Sequence, residues 1–299
     1  MKLLRRVRVV IVAVTVVACE RAKPPAKDSV AVKPSGAPES TAVAAKSTWD
    51  ESAGPLLLVV ADAPDHAYVV TPDSASASAV LSGLPHPASV TLFSRAGSVQ
   101  TAELPSVPDS AGACAVVTLS AAPPPRPWNV GFIGGVVAPI AMDSTESIAP
   151  ADSGSLVVTM NRLASALPND SAGRFSGLAF VVRGLWRFNI PNGPQVVIGN
   201  IMRQINQEAT PLQERTLLIV ERAANDTAFK AVYSERSYGD EETIENRDVL
   251  ATAAIGSNHN PAIILVRDYG DATAYSLLER GDDGRWRRRW MSSRRHCGT

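Results

Sequence analysis

The chain has 299 residues, of which 45% are hydrophobic, and its 29 basic residues are balanced by 29 acidic residues. A formal net charge of zero supplies no global field that would attract nucleic acid, so nucleic acid is not an expected partner. The apolar-rich part that begins at Trp49 has about 250 residues, enough for one sizeable hydrophobic core or two small ones.

The N-terminus carries a short apolar segment between a basic head and a cysteine. Basic residues up to Arg6 precede a run from Val7 to Val17 that is apolar apart from Arg8 and Thr15, and Ala18 lies directly before Cys19. This pattern is typical of a secretory signal peptide. The run has about a dozen apolar residues against roughly twenty needed to span a bilayer, so a retained transmembrane anchor is not expected.

The segment resembles the lipobox of bacterial lipoproteins, in which an aliphatic residue (here Val16) lies three positions before the lipidated cysteine. The resemblance implies that residues 1–18 are removed and that the mature protein is anchored to the membrane through a diacylated Cys19. Because Glu20 replaces the aspartate associated with retention in the inner membrane, the resemblance implies the periplasmic face of the outer membrane. Acyl chains favour the membrane by about 0.8 kcal/mol per buried CH₂, so two or three chains anchor a protein durably.

Residues 20–48 are mostly Ala, Pro, Lys and Ser. Such a composition cannot bury enough apolar surface to offset the entropy of ordering the chain. Residues 19–48 are therefore predicted to be a lipid-anchored flexible linker, which as a coil would reach on the order of 30 Å.

The three cysteines of the chain are Cys19, Cys114 and Cys297. If Cys19 carries the lipid, Cys114 and Cys297 remain, and an even remainder in an exported protein predicts one disulfide. Two separate thiols are the alternative.

Most apolar runs after Trp49 are short, rich in β-branched or aromatic residues, and separated by Gly, Pro, Asn or Asp, which is typical of β-strands. The predicted strands are 56–60, 67–71, 90–94, 115–119, 178–188, 216–222, 229–236, 263–267 and 273–280. Residues 156–167, with apolar side chains at helical spacing and Pro168 at the end, are the best helix candidate. Residues 196–215 fit either a strand followed by a loop or a short helix. The chain is therefore predicted to be all-β and mostly antiparallel, with at most one or two short helices.

The proline-rich residues 123–127 are predicted to be a stiff connector, although such a segment can also dock in an aromatic groove. This connector would separate an N-terminal β-rich part, residues 49–122, from a larger part, residues 128–299. The glycines of residues 131–135 lack the Lys-Ser/Thr of a phosphate-binding loop, so they are interpreted as a close-packed strand or bulge.

A faint internal repeat lies in the C-terminal part. Residues 217–236 have the pattern of a hairpin, and residues 263–280 repeat it about 46 residues later. Residues 56–71 have the pattern of a looser third copy. In the last copy, residues 250–255 precede the hairpin and residues 284–291 follow it, so four antiparallel strands would form one propeller-like sheet.

This repeat resembles the FG-GAP or VCBS-type blades of bacterial β-propellers, over residues 249–292 and more loosely over residues 196–248. The resemblance implies a calcium-binding, Asp-rich loop after the inner strand. Here that loop is Gly256-Ser257-Asn258-His259-Asn260, which contains no carboxylate. Because Ca²⁺ requires anionic oxygens, no metal site is expected there.

The C-terminal stretch combines arginine with tryptophan and contains no acid after Asp283. Guanidinium and indole groups together suit an anion or a polysaccharide. The candidate surface consists of Arg285, Trp286, Arg287, Arg289 and Trp290. In a regular strand Trp286, Arg288 and Trp290 would share one face. The alternative is an outer strand whose arginine stems pack along the tryptophans and pair with the acidic residues 235–248.

Motifs for catalysis and metal binding are not found. No Gly-x-Ser-x-Gly pentapeptide occurs, and no Cys-x-x-Cys, His-x-x-x-His or Asp-x-Asp-x-Asp run. A turn at Pro64 explains the cluster of Asp62, Asp65 and His66. The four histidines lie among turn-like residues, which favours exposed or capping roles; they are His66, His86, His259 and His296. No catalytic residue, metal or cofactor is therefore predicted.

These features together predict a lipid-anchored lipoprotein whose β-rich domain is a non-catalytic binding or envelope-assembly module. Its expected partners are the membrane and, through the domain, envelope proteins or an anionic polysaccharide. One alternative is an enzyme that acts on the cell wall or a polysaccharide on a propeller-like scaffold, which requires two converging carboxylates. The other alternative is a purely structural envelope lipoprotein.

Overall fold

The computed structural model describes residues 56–70, 86–105, 116–121, 123–134, 136–168, 173–206 and 211–296, which belong to one compact unit. The lipidation site at Cys19, the linker over 19–48 and the cysteines of the predicted disulfide, Cys114 and Cys297, lie outside these residues. The described part of the chain contains three antiparallel sheets and one α-helix. The predicted all-β fold class with a propeller-like repeat of antiparallel sheets is confirmed.

The first sheet has six strands in the spatial order β4-β3-β6-β1-β2-β5. They are β1 (Leu56–Val60), β2 (His66–Val70), β3 (Ala88–Phe93), β4 (Val99–Leu104), β5 (Val116–Thr118) and β6 (Val130–Ile133). The backbone groups of Glu103, in the edge strand β4, exchange two hydrogen bonds with those of Ser120, which follows the other edge strand. The sheet therefore closes on itself around an apolar interior that includes Leu58, Val90 and Leu92.

Strand β6 lies in the middle of this sheet, between β1 and β3. A Cβ atom at Gly131 would lie 2.8 Å from Leu92 Cδ2, so the glycine permits a close approach of neighbouring side chains. Of the two interpretations of residues 131–135, a close-packed strand or a bulge, the strand holds for Gly131 to Ile133, while residue 135 lies outside the described residues. Strand β6 also completes the predicted N-terminal part, although it follows the proline-rich residues 123–127.

The other two sheets are meanders of four consecutive strands, each extended by one short strand. The second sheet contains β8 (Met142–Ser144), β9 (Val181–Asn189), β10 (Gln195–Ile205), β11 (Leu212–Arg222) and β12 (Lys230–Asp240). The third contains β7 (Val137–Ile140), β13 (Asn246–Ile255), β14 (Asn260–Asp268), β15 (Thr273–Arg280) and β16 (Trp286–Met291). Their spatial orders are β12-β11-β10-β9-β8 and β16-β15-β14-β13-β7. Only Ala141 separates β7 from β8, so the chain passes from one sheet to the next at a single residue.

The three sheets pack face to face, as successive propeller blades do. One apolar core, which includes Phe93, Phe132 and Ile264, lies between the first and third sheets. A second core, which includes Ile198 and Ile263, lies between the third and second sheets. The third sheet is therefore buried on both faces, which explains the continuous apolar run in β14.

Helix α1 (Pro150–Ser165) packs on the outer face of the second sheet through Leu156, Met160 and Ala164. It begins six residues before the predicted start, because Pro150 occupies its first turn, where proline needs no hydrogen-bond partner for its nitrogen. A Cβ atom at Gly199 would overlap Met160 Cε, so the glycine in β10 gives the helix room to approach. The described residues of the range 196–215, left open by the sequence, lie in or next to β10 and β11 and form no helix.

Candidate functional site: a cleft lined by arginine side chains

The two tryptophans of β16 are buried on opposite faces of the third sheet. Leu278 pairs with Arg288 and Leu277 with Trp290, so Arg289 is an extra residue in a β-bulge. Trp286 therefore packs in the core against the second sheet, and Trp290 in the core against the first sheet. The prediction that both indoles share one face is wrong, because the bulge shifts the alternation by one residue.

Burial removes both indoles from the candidate anion or glycan surface. Trp286 lies edge-on to Phe188 with ring centroids 6.4 Å apart, and its Nε1 donates to Glu221 Oε1 at 2.7 Å. What β16 presents to solvent is a row of arginines, Arg287 to Arg289, with Arg285 just before the strand.

Two arginines of this row pair with acidic residues nearby. Arg287 Nη1 donates to Asp283 Oδ1 at 2.9 Å, and this hydrogen bond lowers the pKa of Asp283 to about 2. Arg289 Nε lies 3.0 Å from Glu279 Oε2. Both guanidinium groups are thus held by acids of the same sheet.

Arg288 reaches the second sheet instead, and it borders a cleft of about 370 Å³ between the second and third sheets. We call this cleft between the two sheets the arginine cleft. Its lining residues are Glu235, Arg236, Glu245, Arg247, Arg267, Tyr269, Arg288 and Met291.

Arg267 forms the floor of the arginine cleft and is 2% exposed. Its Nη1 donates to Glu245 Oε1 and its Nη2 to Glu235 Oε2, both at 2.6 Å. Its Nε donates to Ser276 Oγ at 2.7 Å. All three nitrogens are engaged, so this buried charge has two carboxylates and a hydroxyl as partners.

Arg247 lies beside Arg267 on the neighbouring strand, β13, and is 5% exposed. Its Nη2 donates to Glu245 Oε2 at 2.5 Å, and its Nη1 donates to Ser237 Oγ at 3.4 Å. Its Nε is buried and makes no hydrogen bond within the described residues, although it lies 3.5 Å from Glu235 Oε2. The Arg247 guanidinium therefore keeps one unused donor.

Two further arginines lie at the rim. Arg288 Nη1 is 3.5 Å from Glu235 Oε1, and the side chain is 46% exposed. Arg236 lies on β12, but its Nη1 donates to the Pro168 carbonyl and its Nε faces Glu214 at 3.7 Å. The charges that contact one another in the cleft are thus Arg247, Arg267 and Arg288 against Glu235 and Glu245, an excess of one positive charge.

The groups around Glu235 keep its carboxylate ionised. Burial alone would raise the pKa of Glu235, but the charge of Arg267 and the hydrogen bond from the Tyr233 hydroxyl outweigh burial and lower it. Burial raises the pKa of Tyr233, and its contact with the Glu235 carboxylate raises it further. Around neutral pH the cleft therefore contains a carboxylate anion beside a neutral phenol.

The sequence did not single out Arg236, Arg247 or Arg267, because they come from three strands that meet only after the sheets stack. One local signal was present. Tyr233, Glu235 and Ser237 occupy every second position on β12, which places three polar groups on one face of the strand.

The predicted turn at Pro64 lies between β1 and β2, and there His66 Nδ1 lies 2.8 Å from Asp62 Oδ1. This hydrogen bond raises the pKa of His66. In the part of the chain that the structure describes, no group of three His, Cys, Asp or Glu side chains could hold a metal ion.

A further cavity, of about 590 Å³, lies where the turn of residues 256–260 meets the β9–β10 loop. It is lined by Asn192 and His259, which both have positive φ angles, of 55° and 52°. Asn and His adopt this conformation more readily than other side chains, so both loops keep tight turns without glycine there.

No protein-family model, curated protein or solved structure matches this chain. The resemblances to lipoproteins and to propeller blades therefore stay predictions. Among the described residues, no helix is both long enough and apolar enough to cross a membrane.

Proposed function

We propose that the chain is a lipid-anchored protein on the periplasmic face of the outer membrane, and that its domain is a non-catalytic module that binds an anionic component of the cell envelope. The lipobox ending at Cys19 and the linker over residues 19–48 support the anchor. The arginine cleft supports the binding function, and its excess of one positive charge, which the exposed Arg288 at the rim supplies, is the observation that carries the proposal.

Burying a cation costs free energy unless an anion lies beside it. A guanidinium group removed from water needs an anionic partner, and Arg247 and Arg267 share two carboxylates with Arg288. An anion at the rim would pair with the exposed guanidinium of Arg288, whose nearest carboxylate oxygen, Glu235 Oε1, is 3.5 Å away. Charge-assisted hydrogen bonds of this kind are about twice as strong as neutral ones.

The same geometry argues against the polysaccharide-acting enzyme. Glu235 and Glu245 do converge, but on Arg267, which donates to both. Glycoside hydrolysis needs one carboxylic acid with a raised pKa, whereas the pKa of Glu235 is lowered. A Glu235 carboxylate that arginine keeps ionised favours electrostatic binding over acid catalysis.

Metabolic labelling with radioactive palmitate tests the anchor. The wild-type chain should incorporate label and sediment with membranes, and Cys19→Ala should do neither. Cys114→Ala is the matched control and should keep the label. Equal labelling of the wild type and Cys19→Ala would disprove lipidation at Cys19.

Thermal unfolding of the full chain in a non-ionic detergent tests the cleft, with inorganic phosphate as the anion. Phosphate should raise the Tm of the wild type and of Arg285→Ala, and raise that of Arg288→Ala less. Arg285 and Arg288 are both exposed, but only Arg288 borders the cleft. If phosphate raises the Tm of Arg288→Ala as much as that of the wild type, the arginine cleft is not the binding surface. If phosphate raises the Tm of none of the proteins, the purely structural alternative is favoured.

A further inference from the structure

We propose that a second site, between helix α1 and the second sheet, binds an acidic saccharide. This site is separate from the arginine cleft and does not depend on it. It is a cleft of about 330 Å³ whose walls are the polar face of α1 and the ends of β9, β10 and β11. We call it the helix cleft.

One face of α1 supplies Asp152, Ser155, Thr159 and Arg162 to the helix cleft. These positions are three or four residues apart, so they lie on one side of the helix while Leu156 and Met160 turn towards the sheet. Within the described residues, the Ser155 and Thr159 hydroxyls and the Arg162 guanidinium make no hydrogen bond to another side chain. The helix thus presents two hydroxyls, one cation and one carboxylate to the cleft.

The opposite wall supplies two arginines held in fixed positions. Arg187 Nη2 donates to Asp143 Oδ2 at 3.0 Å, and its Nη1 lies 3.5 Å from Asp152 Oδ2. Arg222 Nη2 donates to Gln195 Oε1 at 2.7 Å, and its Cζ lies 4.7 Å from the centroid of the buried Phe229 ring. Because neighbouring groups fix both guanidinium groups, a ligand would meet them with little loss of side-chain entropy.

The charge balance calls for an anionic group. Arg162, Arg187 and Arg222 face Asp143 and Asp152, which leaves an excess of one positive charge. Guanidinium groups recognise carboxylate and phosphate oxygens through paired hydrogen bonds. The excess charge therefore selects a ligand with at least one negative group.

The acceptors in the helix cleft distinguish a saccharide from a bare anion. The Asp152 carboxylate has no donor to accept from in ionised phosphate or acetate, but it can accept a hydrogen bond from a sugar hydroxyl. The hydroxyls of Ser155, Thr159 and Thr227 can each donate or accept, as the hydroxyls of a sugar require. A ligand with both hydroxyls and a negative charge satisfies all of these groups, and this describes an acidic saccharide.

Isothermal titration of the full chain in a non-ionic detergent tests the proposal. The probes are oligogalacturonate and glucose 6-phosphate, with neutral maltooligosaccharide and acetate for comparison. We expect binding of at least one acidic saccharide and of neither comparison compound. Equal affinity for maltooligosaccharide, or binding of acetate alone, would overturn the proposal.

Variants locate the binding. Arg162→Ala should weaken it about tenfold, because a charge-assisted hydrogen bond is lost, and Thr159→Val should weaken it by a smaller factor. Arg174→Ala is the matched control, because Arg174 is also an exposed arginine but does not line the helix cleft. Arg288→Ala, in the arginine cleft, should leave saccharide affinity unchanged. If Arg288→Ala abolishes binding while Arg162→Ala does not, the saccharide binds in the arginine cleft and the second site is disproved.

Discussion

Removal of Arg267 should destabilise the domain more than removal of any surface arginine. Arg267→Met keeps the apolar stem and deletes the guanidinium that donates to Glu235, Glu245 and Ser276. Two largely buried carboxylates then lose their principal cation. Because Arg247 still contacts both of them, they keep one partner.

The expected magnitude follows from the burial of the partners. Breaking a buried ion pair by deleting one partner costs about 3–5 kcal/mol. The retained contacts of Arg247 and the 15% exposure of Glu235 place Arg267→Met at the lower end, about 3 kcal/mol. For a domain of this size, 1 kcal/mol shifts the Tm by about 2–4 °C, so the expected decrease is about 6–12 °C.

Thermal unfolding followed by circular dichroism at neutral pH measures this effect. Arg289→Met is the control, since its pair with Glu279 is partly exposed and should contribute less than about 1 kcal/mol. The triple variant Arg267→Met/Glu235→Gln/Glu245→Gln should regain part of the lost Tm, because it no longer buries unpaired charges. If Arg267→Met loses no more Tm than Arg289→Met, or the triple variant is no better than the single one, the network does not stabilise the fold as argued.

Three further outcomes are expected. Met160→Ala should cost about 2–5 kcal/mol in denaturant unfolding, because it leaves a cavity between α1 and the second sheet; a cost under 1 kcal/mol would contradict the packing. The stabilisation by Glu235 is present above its ordinary pKa of 4.5 and should be lost as the pH falls through its lowered pKa, so the wild-type Tm should fall in acid more steeply than that of Glu235→Gln. The mature oxidised chain should show no free thiol at Cys114 or Cys297 under denaturing conditions, and two reactive thiols would refute the predicted disulfide.

Predicting the strands from sequence worked where a strand is short, β-branched and bounded by turn residues. Strand β1 has the predicted bounds of 56–60, and β15 those of 273–280. Strands β4, β7 and β8 were missed because two have only three or four residues and β4 contains Ala102 and Glu103, residue types that are depleted in strands. Their existence depends on neighbouring strands, which local pattern cannot reveal.

The candidate site was harder to predict than the fold. The bulge at Arg289, which sends Trp286 and Trp290 into different cores, arises from pairing with β15 and leaves no mark in the residue alternation. The arginine cleft likewise requires β12 to face β14 across two sheets. The alternation of residues along one strand predicts which side chains share a face, but not which face another sheet will cover.

Strand β12 connects these observations, since it carries buried charges on both of its faces. Glu235 points towards the third sheet and pairs with Arg267, while the adjacent Arg236 points the other way, towards Glu214 and the Pro168 carbonyl. A register slip of one residue would exchange these two side chains and bury each beside charges of its own sign. For an edge strand of eleven residues, which has a neighbour on one side only, this penalty helps to specify the register. The ion pairs that line the arginine cleft therefore also hold in place the strand that forms its wall.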